Sequence, residues 1–247
     1  MLKKNLENYL EGVSGQYGIY YINLTTGEEF GINQEDTYTA ASTFKIPLNL
    51  YLYKRIKSGS VDPQYLLTYE ERDYEEGTGE IRYGNFGKKY SIRELSRLSI
   101  EESDNVAANM LLRYLGRENV KDFMRLCGGK VIDNDENVSS PKDMGLYMKQ
   151  VYDFYKNDDV FGKELMDYFL NTEFSDRIPA LLPKEVKVAH KVGNQIGTIN
   201  DVGVIFADTP YVLSILSKDA NEDEAYDAIA EISKKVYEYV NNTNTGD

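Results

Sequence analysis

The amino-acid sequence predicts an α+β fold, an α/β sandwich. In it, a five-stranded, mainly antiparallel sheet is flanked by terminal helices and carries an inserted all-helical lobe. Three observations support this prediction. Segments with strand character gather towards the two ends of the 247-residue chain, the long middle section shows helical spacing of its apolar residues, and a helical segment stands at each terminus. Because strand-rich ends bracket a helical middle, one shared sheet with an inserted lobe is the simplest arrangement.

The first elements are a helix and a hairpin. From Leu2 to Leu10 the apolar residues follow helical spacing, which predicts a short terminal helix. Aromatic and β-branched residues fill the segment from Tyr17 to Asn23, and these residue types favour strands. A Thr-Thr-Gly turn at residues 25–27 separates this segment from a second strand over residues 28–32, so we expect a β-hairpin.

The next element is a central helix from Ser42 to Lys57. Its residues are apolar nearly all round, which indicates a helix buried in the middle of the protein, and a Ser-Gly-Ser segment ends it. The section that follows is mostly helical, with glycine- and acid-rich loops between the helices. Its strongest helical stretches are Ser91–Ser99, Asn105–Leu115, Glu118–Leu126, Pro141–Tyr155 and Phe161–Leu170.

Strand character returns after Pro183. Residues 186–192 alternate between polar and apolar, residues 202–207 and 211–216 form compact apolar runs, and an amphipathic helix from about Glu222 to Val240 closes the chain. These boundaries predict a discontinuous α/β region made of residues 1–57 and 177–247. Residues 58–176 then form the helical lobe, and an active site is expected at the junction of the two.

Composition and charge exclude several classes of partner. The net charge is −13, from 41 acidic and 28 basic residues, and no basic stripe is visible, so we predict no nucleic-acid partner. No uncharged apolar stretch reaches about 18 residues, so we predict no membrane span. The first ten residues contain two lysines with no apolar run behind them, and they do not form an intact signal peptide.

A single cysteine and a single histidine limit the chemistry further. Cys127 alone forms no internal disulfide, and its place at a helix end indicates a packing role. One histidine excludes a histidine-rich metal site, and a Ser-His-Asp mechanism would require His190 as its base. We interpret His190 as a packing or hydrogen-bonding residue of a strand. The prediction is no metal site and no cofactor.

Three short motifs are candidates for carrying chemistry. They are Ser42-Thr-Phe-Lys45, which fits S-x-x-K, Ser103-Asp-Asn105, which is S-D-N, and Lys191-Val-Gly193, which fits K-x-G. A second S-x-x-K over residues 139–142 is interpreted as a chance match, since average residue usage produces this pattern about once in such a chain.

The spacing and position of the first motif give a physical reason to expect a nucleophile, Ser42, beside its base, Lys45. On a helix, Ser42 and Lys45 project from one face about a turn apart. Ser42 stands at the predicted helix start, where free backbone N–H groups and the helix dipole favour developing negative charge. Burial and a neighbouring cation would lower the pKa of Lys45, and the lysine could then take the serine proton.

In this order the three motifs resemble the signature of the class A β-lactamases and penicillin-binding proteins. Residues 103–112 resemble the S-D-N helix of that family, and residues 177–183 and 197–201 resemble the flanks of its third motif. The resemblance covers the chain from about Tyr17 to the C-terminus. It implies the same arrangement of sheet and inserted lobe that the elements predict.

The resemblance also implies a role for each matching residue. Ser42 attacks a carbonyl and holds the acyl group, Lys45 acts as the base or orients it, and Ser103 relays a proton to the leaving nitrogen. The resemblance implies that Asn105 holds the substrate amide and Lys45, that Lys191 attracts the substrate carboxylate, and that the N–H groups of Ser42 and Asn194 form an oxyanion hole. Apart from the resemblance, Gly193 follows Lys191 at the predicted strand end, where a substrate backbone could approach closely. A plainer alternative stays open for Ser42 and Asn105, either of which could cap the helix that follows it.

Two departures from the family pattern bear on activity. Val192 stands between Lys191 and Gly193, where the family usually has a hydroxyl residue, although a strand would point Val192 away from its neighbours. The family's E-x-x-L-N loop, whose glutamate activates the deacylating water, is replaced by a shorter segment over residues 128–141. Asp133 and Glu136 are the carboxylates available there, and we interpret both as solvated loop acids.

The resemblance and its departures together suggest the function. We expect a β-lactamase-like serine hydrolase, of the kind that confers antibiotic resistance on bacteria, that is acylated by β-lactams or related amides and deacylates slowly. One alternative is a penicillin-binding-protein-like D,D-peptidase or transferase acting on cell-wall peptides. Another is an acylated binding or sensor protein without turnover. The expected location is exported or at the cell surface, with the export segment absent from this sequence; a cytoplasmic location is the alternative.

Overall fold

The computed structural model describes residues 2–243. Its α-helices are α1 (Leu2–Leu10), α2 (Lys45–Lys57), α3 (Ile92–Glu101), α4 (Asn105–Leu115), α5 (Arg117–Leu126), α6 (Pro141–Asn157), α7 (Phe161–Leu170) and α8 (Glu222–Thr243). Its strands are β1 (Gln16–Asn23), β2 (Glu29–Ile32), β3 (Tyr38–Thr39), β4 (Leu66–Thr68), β5 (Lys89–Ser91), β6 (Val138–Ser139), β7 (Lys187–Gln195), β8 (Thr198–Phe206) and β9 (Tyr211–Lys218).

The main sheet joins the two ends of the chain. Its order is β2-β1-β9-β8-β7, and every neighbouring pair is antiparallel. The bridge between the N-terminal and C-terminal strands is the β1–β9 pair, which runs from Gln16 opposite Lys218 to Asn23 opposite Tyr211. The α+β fold with a five-stranded antiparallel sheet is therefore confirmed.

The predicted hairpin is present as β1 and β2, and a side chain closes its turn. Asn23 Oδ1 accepts hydrogen bonds from the backbone N–H groups of Thr25 and Thr26, at 2.8 and 2.9 Å. This Asx turn satisfies two backbone donors that the hairpin bonds leave free. The turn is thus closed mainly by local bonds, and Leu24 N also donates to Pro210 O at 2.9 Å.

Helices cover both faces of the sheet, so that two apolar layers form. On one face Leu6 of α1 and Ile229 of α8 belong to a buried cluster with Ile19 of β1. On the other face Tyr20, the next residue of β1, packs into the larger cluster that contains Met148 of α6. Successive residues of a strand point to opposite faces, so the nearly continuous apolar run of β1 serves both layers.

The central helix is buried as its composition predicts, but it begins later. The α-helix starts at Lys45, and a 3-10 turn over Ala41–Phe44 precedes it. The backbone N–H of Lys45 donates to Ser42 O, three residues earlier, and this spacing is that of a 3-10 turn rather than of an α-helix. Ser42 therefore lies in the turn, just ahead of the helix.

The helical stretches predicted in the lobe lie within two residues of α3–α7 at either end. The lobe region also contains short strands, with β4 paired to β5 and β6 paired to β3. Strands of two or three residues are too short to leave a periodic pattern in the sequence. Within residues 2–243, no helix is long and apolar enough to cross a bilayer.

Candidate active site

Ser42 lies in the 3-10 turn that leads into α2. Two side chains hold this turn. Thr43 Oγ1 donates to Ala40 O at 2.6 Å, and Asn137 Nδ2 donates to Ala41 O at 3.0 Å. Ala41 adopts a φ of 46°, a left-handed conformation that is costly for a residue with a side chain. The hydrogen bonds on either side of Ala41 maintain this strained conformation, and Ser42 lines the open cleft beside it.

Lys45 connects the first motif to the second. Its Nζ lies 3.0 Å from Ser42 Oγ, 2.6 Å from Ser103 O, 3.3 Å from Ser103 Oγ and 2.8 Å from Asn105 Oδ1. These four oxygens compete for at most three N–H donors of an ammonium group. Two serine hydroxyls, one on each side of the cleft, are thus in contact with one amine.

Burial changes the acidity of Lys45. The side chain is fully buried, and burial lowers the pKa of Lys45 to about 7, although the negative charges of Asp104 and Glu75 oppose this shift. At neutral pH the amine is then present in both its charged and its neutral form. The neutral form has a free electron pair and can accept the proton of Ser42.

The S-D-N motif forms a tight turn at the start of α4. Ser103 has a φ of 56°, and its carbonyl oxygen accepts a hydrogen bond from Thr78 Oγ1 at 2.7 Å. Asp104 caps α4 by accepting from Ala107 N at 2.8 Å, and it also accepts from Ile81 N at 2.9 Å. The cap is therefore Asp104, and the alternative that Asn105 caps this helix was wrong.

Lys191 occupies the middle of the edge strand β7 rather than its end, because the strand continues three residues beyond the predicted range, to Gln195. Its side chain is fully buried, its Nζ donates to Val192 O at 3.2 Å, and it lies 5.6 Å from the ring centre of Phe174. Burial, with repulsion from Lys45, lowers the pKa of Lys191 well below its usual value. The two motif lysines thus share one buried electrostatic environment.

Gly193 brings β7 into close contact with the turn that holds Ser42. A Cβ at Gly193 would lie 3.0 Å from both Ala40 O and Ser42 N. These are backbone atoms that cannot move away easily, so only glycine allows this approach. Asn194, the next residue, lines the cleft, and its Nδ2 donates to Tyr226 Oη at 2.7 Å.

Ser42, Ser103 and Asn194 line a cleft of about 330 Å³. The lining also contains two charged residues that the motifs do not predict, Arg177 and Asp176, with Arg177 Nε 3.5 Å from Asp176 Oδ1. Arg177 lines this cleft although only 1% of its surface is exposed. Its Nη1 donates to Asn200 O at 2.9 Å, its Nη2 donates to Tyr226 Oη at 3.2 Å, and its guanidinium lies 4.6 Å from the ring centre of Tyr226. In the sequence, Arg177 belongs to the segment 177–183 that resembles a flank of the third family motif, but nothing there indicates that its side chain faces the cleft. Nothing in the sequence pointed to Tyr226.

His190 forms a buried pair away from the nucleophile. Its Nδ1 lies 2.8 Å from Asp201 Oδ1, and Asp201 Oδ2 accepts from Ile178 N at 3.1 Å. Burial acts to raise the pKa of Asp201, but His190, Arg177 and the Ile178 N–H outweigh it, so the net shift is downward. His190 therefore has a hydrogen-bonding partner, in agreement with the interpretation from the sequence.

The short loop before α6 uses its acids structurally. Asp133 Oδ1 accepts from the N–H groups of Asp135 and Glu136, at 2.8 and 2.9 Å, and these bonds lower the pKa of Asp133. The side chain of Glu136 is exposed, and neither acid is among the residues that line the cleft around Ser42. The second S-x-x-K match lies elsewhere, with Ser139 buried in β6 and Lys142 paired with Glu35 at 3.5 Å.

Comparison with known proteins identifies the family. The family model described as the beta-lactamase enzyme family matches residues 1–240. This chain belongs to that family. Beta-lactamase 3 of Bacillus cereus is 26% identical over 257 residues, which cover 94% of this chain and 79% of the relative. Beta-lactamase SME-1 of Serratia marcescens is 26% identical over 256 residues, which cover 94% of this chain and 86% of the relative.

Solved structures of the beta-lactamase fold superpose on nearly the whole chain. PBP-A has 25% sequence identity and a TM-score of 0.91, with coverage of 98% of this chain and 96% of PBP-A. A variant of PBP-A, an acyl-enzyme complex with penicillin G, has 25% identity and a TM-score of 0.90, with coverage of 98% and 96%. An ancestral class A β-lactamase has 23% identity and a TM-score of 0.87 and covers 97% of this chain and 100% of its own, which shows the shared fold.

Proposed function

We propose that this member of the beta-lactamase family is a serine hydrolase that forms an acyl-enzyme on Ser42 with β-lactams or related amides and releases the acyl group slowly. The observation that carries the proposal is the 3.0 Å separation of Lys45 Nζ and Ser42 Oγ, together with the lowering of the pKa of Lys45 to about 7. A base is most effective when its pKa lies near the working pH. Lys45 then takes the proton of Ser42 as its Oγ attacks the carbonyl carbon.

The surrounding groups support the remaining steps of acylation. In our proposal the backbone N–H groups of Ser42 and Asn194 bind the developing oxyanion, and Gly193 keeps β7 close enough to Ser42 for this purpose. Ser103 Oγ lies 3.3 Å from Lys45 Nζ and lines the same cleft. The proton can therefore pass from Lys45 through Ser103 to the leaving nitrogen.

A cation in the cleft favours substrates that carry a carboxylate. The protein as a whole has a net charge of −13, yet Arg177 is among the residues that line the cleft, beside Asp176, whose carboxylate lies 3.5 Å from Arg177 Nε. Arginine binds carboxylates through paired hydrogen bonds. Lys191 is fully buried and its pKa is lowered, so we propose that Arg177 joins Lys191 in attracting the substrate carboxylate.

Slow deacylation follows from the loop before α6. Hydrolysis of an acyl-enzyme needs a carboxylate near the ester, and this loop places neither Asp133 nor Glu136 at the cleft. General-base assistance is worth about 10²–10⁴-fold in rate, so its weakening leaves the acyl-enzyme long-lived.

Two alternative functions keep the same nucleophile. A D,D-peptidase or transferase acting on cell-wall peptides is favoured by the short loop and by the likeness to PBP-A. The second alternative is an acylated sensor without turnover. The contacts of Lys45 with both serine hydroxyls favour an enzyme over such a sensor. Because cell-wall peptides are cross-linked outside the cytoplasm, we propose an exported or surface location.

Intact-mass spectrometry with benzylpenicillin tests the proposed function. We expect the mass of one penicillin to be added within seconds to minutes and lost more slowly, with the adduct on the peptide that contains Ser42. Ser42→Ala should abolish the adduct because the attacking oxygen is removed. Ser139→Ala is the matched control, since Ser139 begins the other S-x-x-K sequence, and it should be acylated like the wild type.

The result separates the functions. An adduct on Ser139, or no adduct at all, would contradict the proposal. Release of D-alanine from a peptide ending in D-Ala-D-Ala, at a rate above that of penicillin turnover, would favour the peptidase. An adduct that never leaves would favour the sensor.

A further inference from the structure

A second cavity, of about 200 Å³, adjoins the turn that carries Ser42. Phe44, the last residue of that turn, lines it. Asn137 lines it too, and the side chain of Asn137 donates to Ala41 O at the other end of the turn. Neither Asp133 nor Glu136 is among the lining residues. The short loop thus contributes an amide to this cavity and no carboxylate.

A carboxylate reaches this cavity from a different part of the chain. Glu75, in the long connection between β4 and β5, lines the cavity, and its Oε2 accepts from Asn109 Nδ2 at 2.7 Å. Asn109 lies four residues after Asn105 on α4, so their side chains are neighbours on one helix face. Asn105 Oδ1 in turn lies 2.8 Å from Lys45 Nζ. Glu75 is thus connected to the amine that contacts Ser42 through Asn109 and Asn105.

The backbone around Glu75 is anchored to the same motif. Glu76 O accepts from Asn105 Nδ2 at 2.9 Å, so the residue next to Glu75 is tied to the S-D-N turn. Gly77 follows with a φ of 117°, and a Cβ there would lie 2.7 Å from Asn105 Nδ2. The segment is therefore built to lie directly against Asn105. The charge of Glu75 also acts on Lys45, whose pKa it raises against the effect of burial.

The cavity has the properties that an ordered water needs. A water requires roughly 10–15 Å³ and two to four polar partners. The carboxylate of Glu75 and the amides of Asn109 and Asn137 all line this space. From this juxtaposition we propose that Glu75 is the general base that activates the water for deacylation of Ser42. The inference rests on the proposed acyl-enzyme and names the group that hydrolyses it.

Hydrolysis of the acyl-enzyme takes place in two stages. Glu75 takes one proton from the water while the water oxygen bonds to the ester carbonyl carbon. The tetrahedral intermediate then collapses, the bond between that carbon and Ser42 Oγ breaks, and Oγ receives a proton from Lys45. The products are free Ser42 and a carboxylic acid, which releases its proton to solvent. Proton exchange through solvent returns Glu75 and Lys45 to their starting forms, which is feasible because the side chain of Glu75 is exposed.

The test compares Glu75→Gln with Glu76→Gln. Both side chains are exposed and adjacent, and the contact of Glu76 with Asn105 runs through a backbone oxygen that the substitution keeps. Acylation by benzylpenicillin and loss of the adduct are followed separately by time-resolved mass spectrometry. We expect deacylation of Glu75→Gln to fall at least tenfold with acylation changed less than threefold, and Glu76→Gln to behave as the wild type.

The outcomes keep this inference apart from the proposed function. If the wild type forms no acyl-enzyme, both are overturned. If it is acylated and Glu75→Gln deacylates at the wild-type rate, only the role of Glu75 is overturned. A wild-type adduct that never hydrolyses would count against Glu75 in the same way. Normal acylation of Glu75→Gln shows that the variant folds, and partial recovery in Glu75→Asp would support a role for the carboxylate itself.

Discussion

Two buried lysines dominate the chemistry at the residue scale. Burial lowers the pKa of both Lys45 and Lys191, and the positive charge of Lys45 lowers the pKa of Lys191 further. A buried ammonium is costly, so the folded protein favours the neutral amines more strongly than the unfolded chain does. For Lys45 the unfolded chain binds the extra proton between about pH 7 and the ordinary value of 10.5. Folding stability therefore rises with pH across that window, and the buried amine beside Ser42 lowers the stability of the folded protein at neutral pH.

Acylation should follow the protonation of Lys45. Only the neutral amine accepts the proton of Ser42, so the acylation rate should fall as the pH drops below the Lys45 pKa of about 7. Lys45→Arg keeps a cation at this position but removes the base, because arginine is not deprotonated in proteins. We expect it to slow acylation by at least about 10²-fold, in line with loss of a general base, and to remove this limb of the profile. Stopped-flow acylation from pH 5 to 9 measures both, and a profile that Lys45→Arg leaves unchanged would show that another group is the base.

At the element scale, the fit of β7 against the turn before α2 determines whether the cleft works. The 3-10 turn places Ser42 ahead of the helix, and β7 approaches it closely only because residue 193 has no side chain. The turn on the other side, at Ser103, is fixed by Asp104, which caps α4 and also binds Ile81 N. Three separate elements thus meet at the cleft, and the contact between β7 and the turn before α2 is one that a single added side chain would disrupt.

Gly193→Ala tests this fit. The new Cβ would lie 3.0 Å from Ser42 N, so it should push β7 away and block the N–H that we assign to the oxyanion. Loss of one oxyanion donor costs about 10²–10³-fold in rate, and we expect a loss of this order in acylation. Gly12→Ala is the control, because a Cβ at Gly12 has its nearest neighbour at 3.8 Å. Equal acylation rates for the two variants would mean that β7 does not limit access to Ser42.

The elements also show how far the sequence could lead. Helices and strands of ordinary length were predictable because their apolar periodicity is strong. The contact between Ser42 and Lys45 was predictable because the two residues are only three positions apart in the chain. The positions of Arg177, Tyr226 and Glu75 were not predictable, since they depend on contacts between distant segments. Arg177 and Tyr226, for example, are in contact but 49 residues apart in the chain. The 3-10 turn was missed because its bonds depend on the strained backbone of Ala41.

At the scale of the whole molecule, a buried charge network holds the C-terminal strands to the segment that leads into them. Asp201 of β8 accepts from His190 of β7 and from Ile178 N, and Ser233 of α8 donates to Ile178 O at 2.8 Å. Arg177, next in the chain to Ile178, binds Asn200 O. Arg177 is therefore positioned by contacts with the inner strand β8 and with Tyr226 of the terminal helix α8 together.

Asp201→Asn should weaken this connection. The substitution removes the carboxylate that accepts hydrogen bonds from His190 Nδ1 and Ile178 N. A buried polar group left without its partner costs about 1–3 kcal/mol, and we expect a loss of that order in the free energy of unfolding at pH 7. Folding lowers the pKa of Asp201 from 3.8, so its ionised carboxylate stabilises the folded protein above that pH. This stabilisation is lost as the pH falls below 3.8 and through the lower pKa of the folded state. The difference in unfolding free energy between Asp201→Asn and the wild type should therefore shrink in acid. Urea unfolding at pH 7 and at pH 3 measures this. The control Asp208→Asn, at an exposed position, should stay within about 0.5 kcal/mol of wild type, and a similar small loss for Asp201→Asn would refute the role of the network.

The pairing of β1 with β9 sets an order of events during synthesis. It joins residue 16 to residue 218, so the sheet closes only when almost the whole chain is available, and such distant pairings slow folding. A growing chain carries Ser42, Lys45 and Ser103 well before it acquires β7, whose Gly193 lies against Ser42 N. The nucleophile is thus made early and its surroundings late. Reactivity towards acylating compounds should therefore appear only as the last strands join the sheet, which makes acylation a report on completed folding.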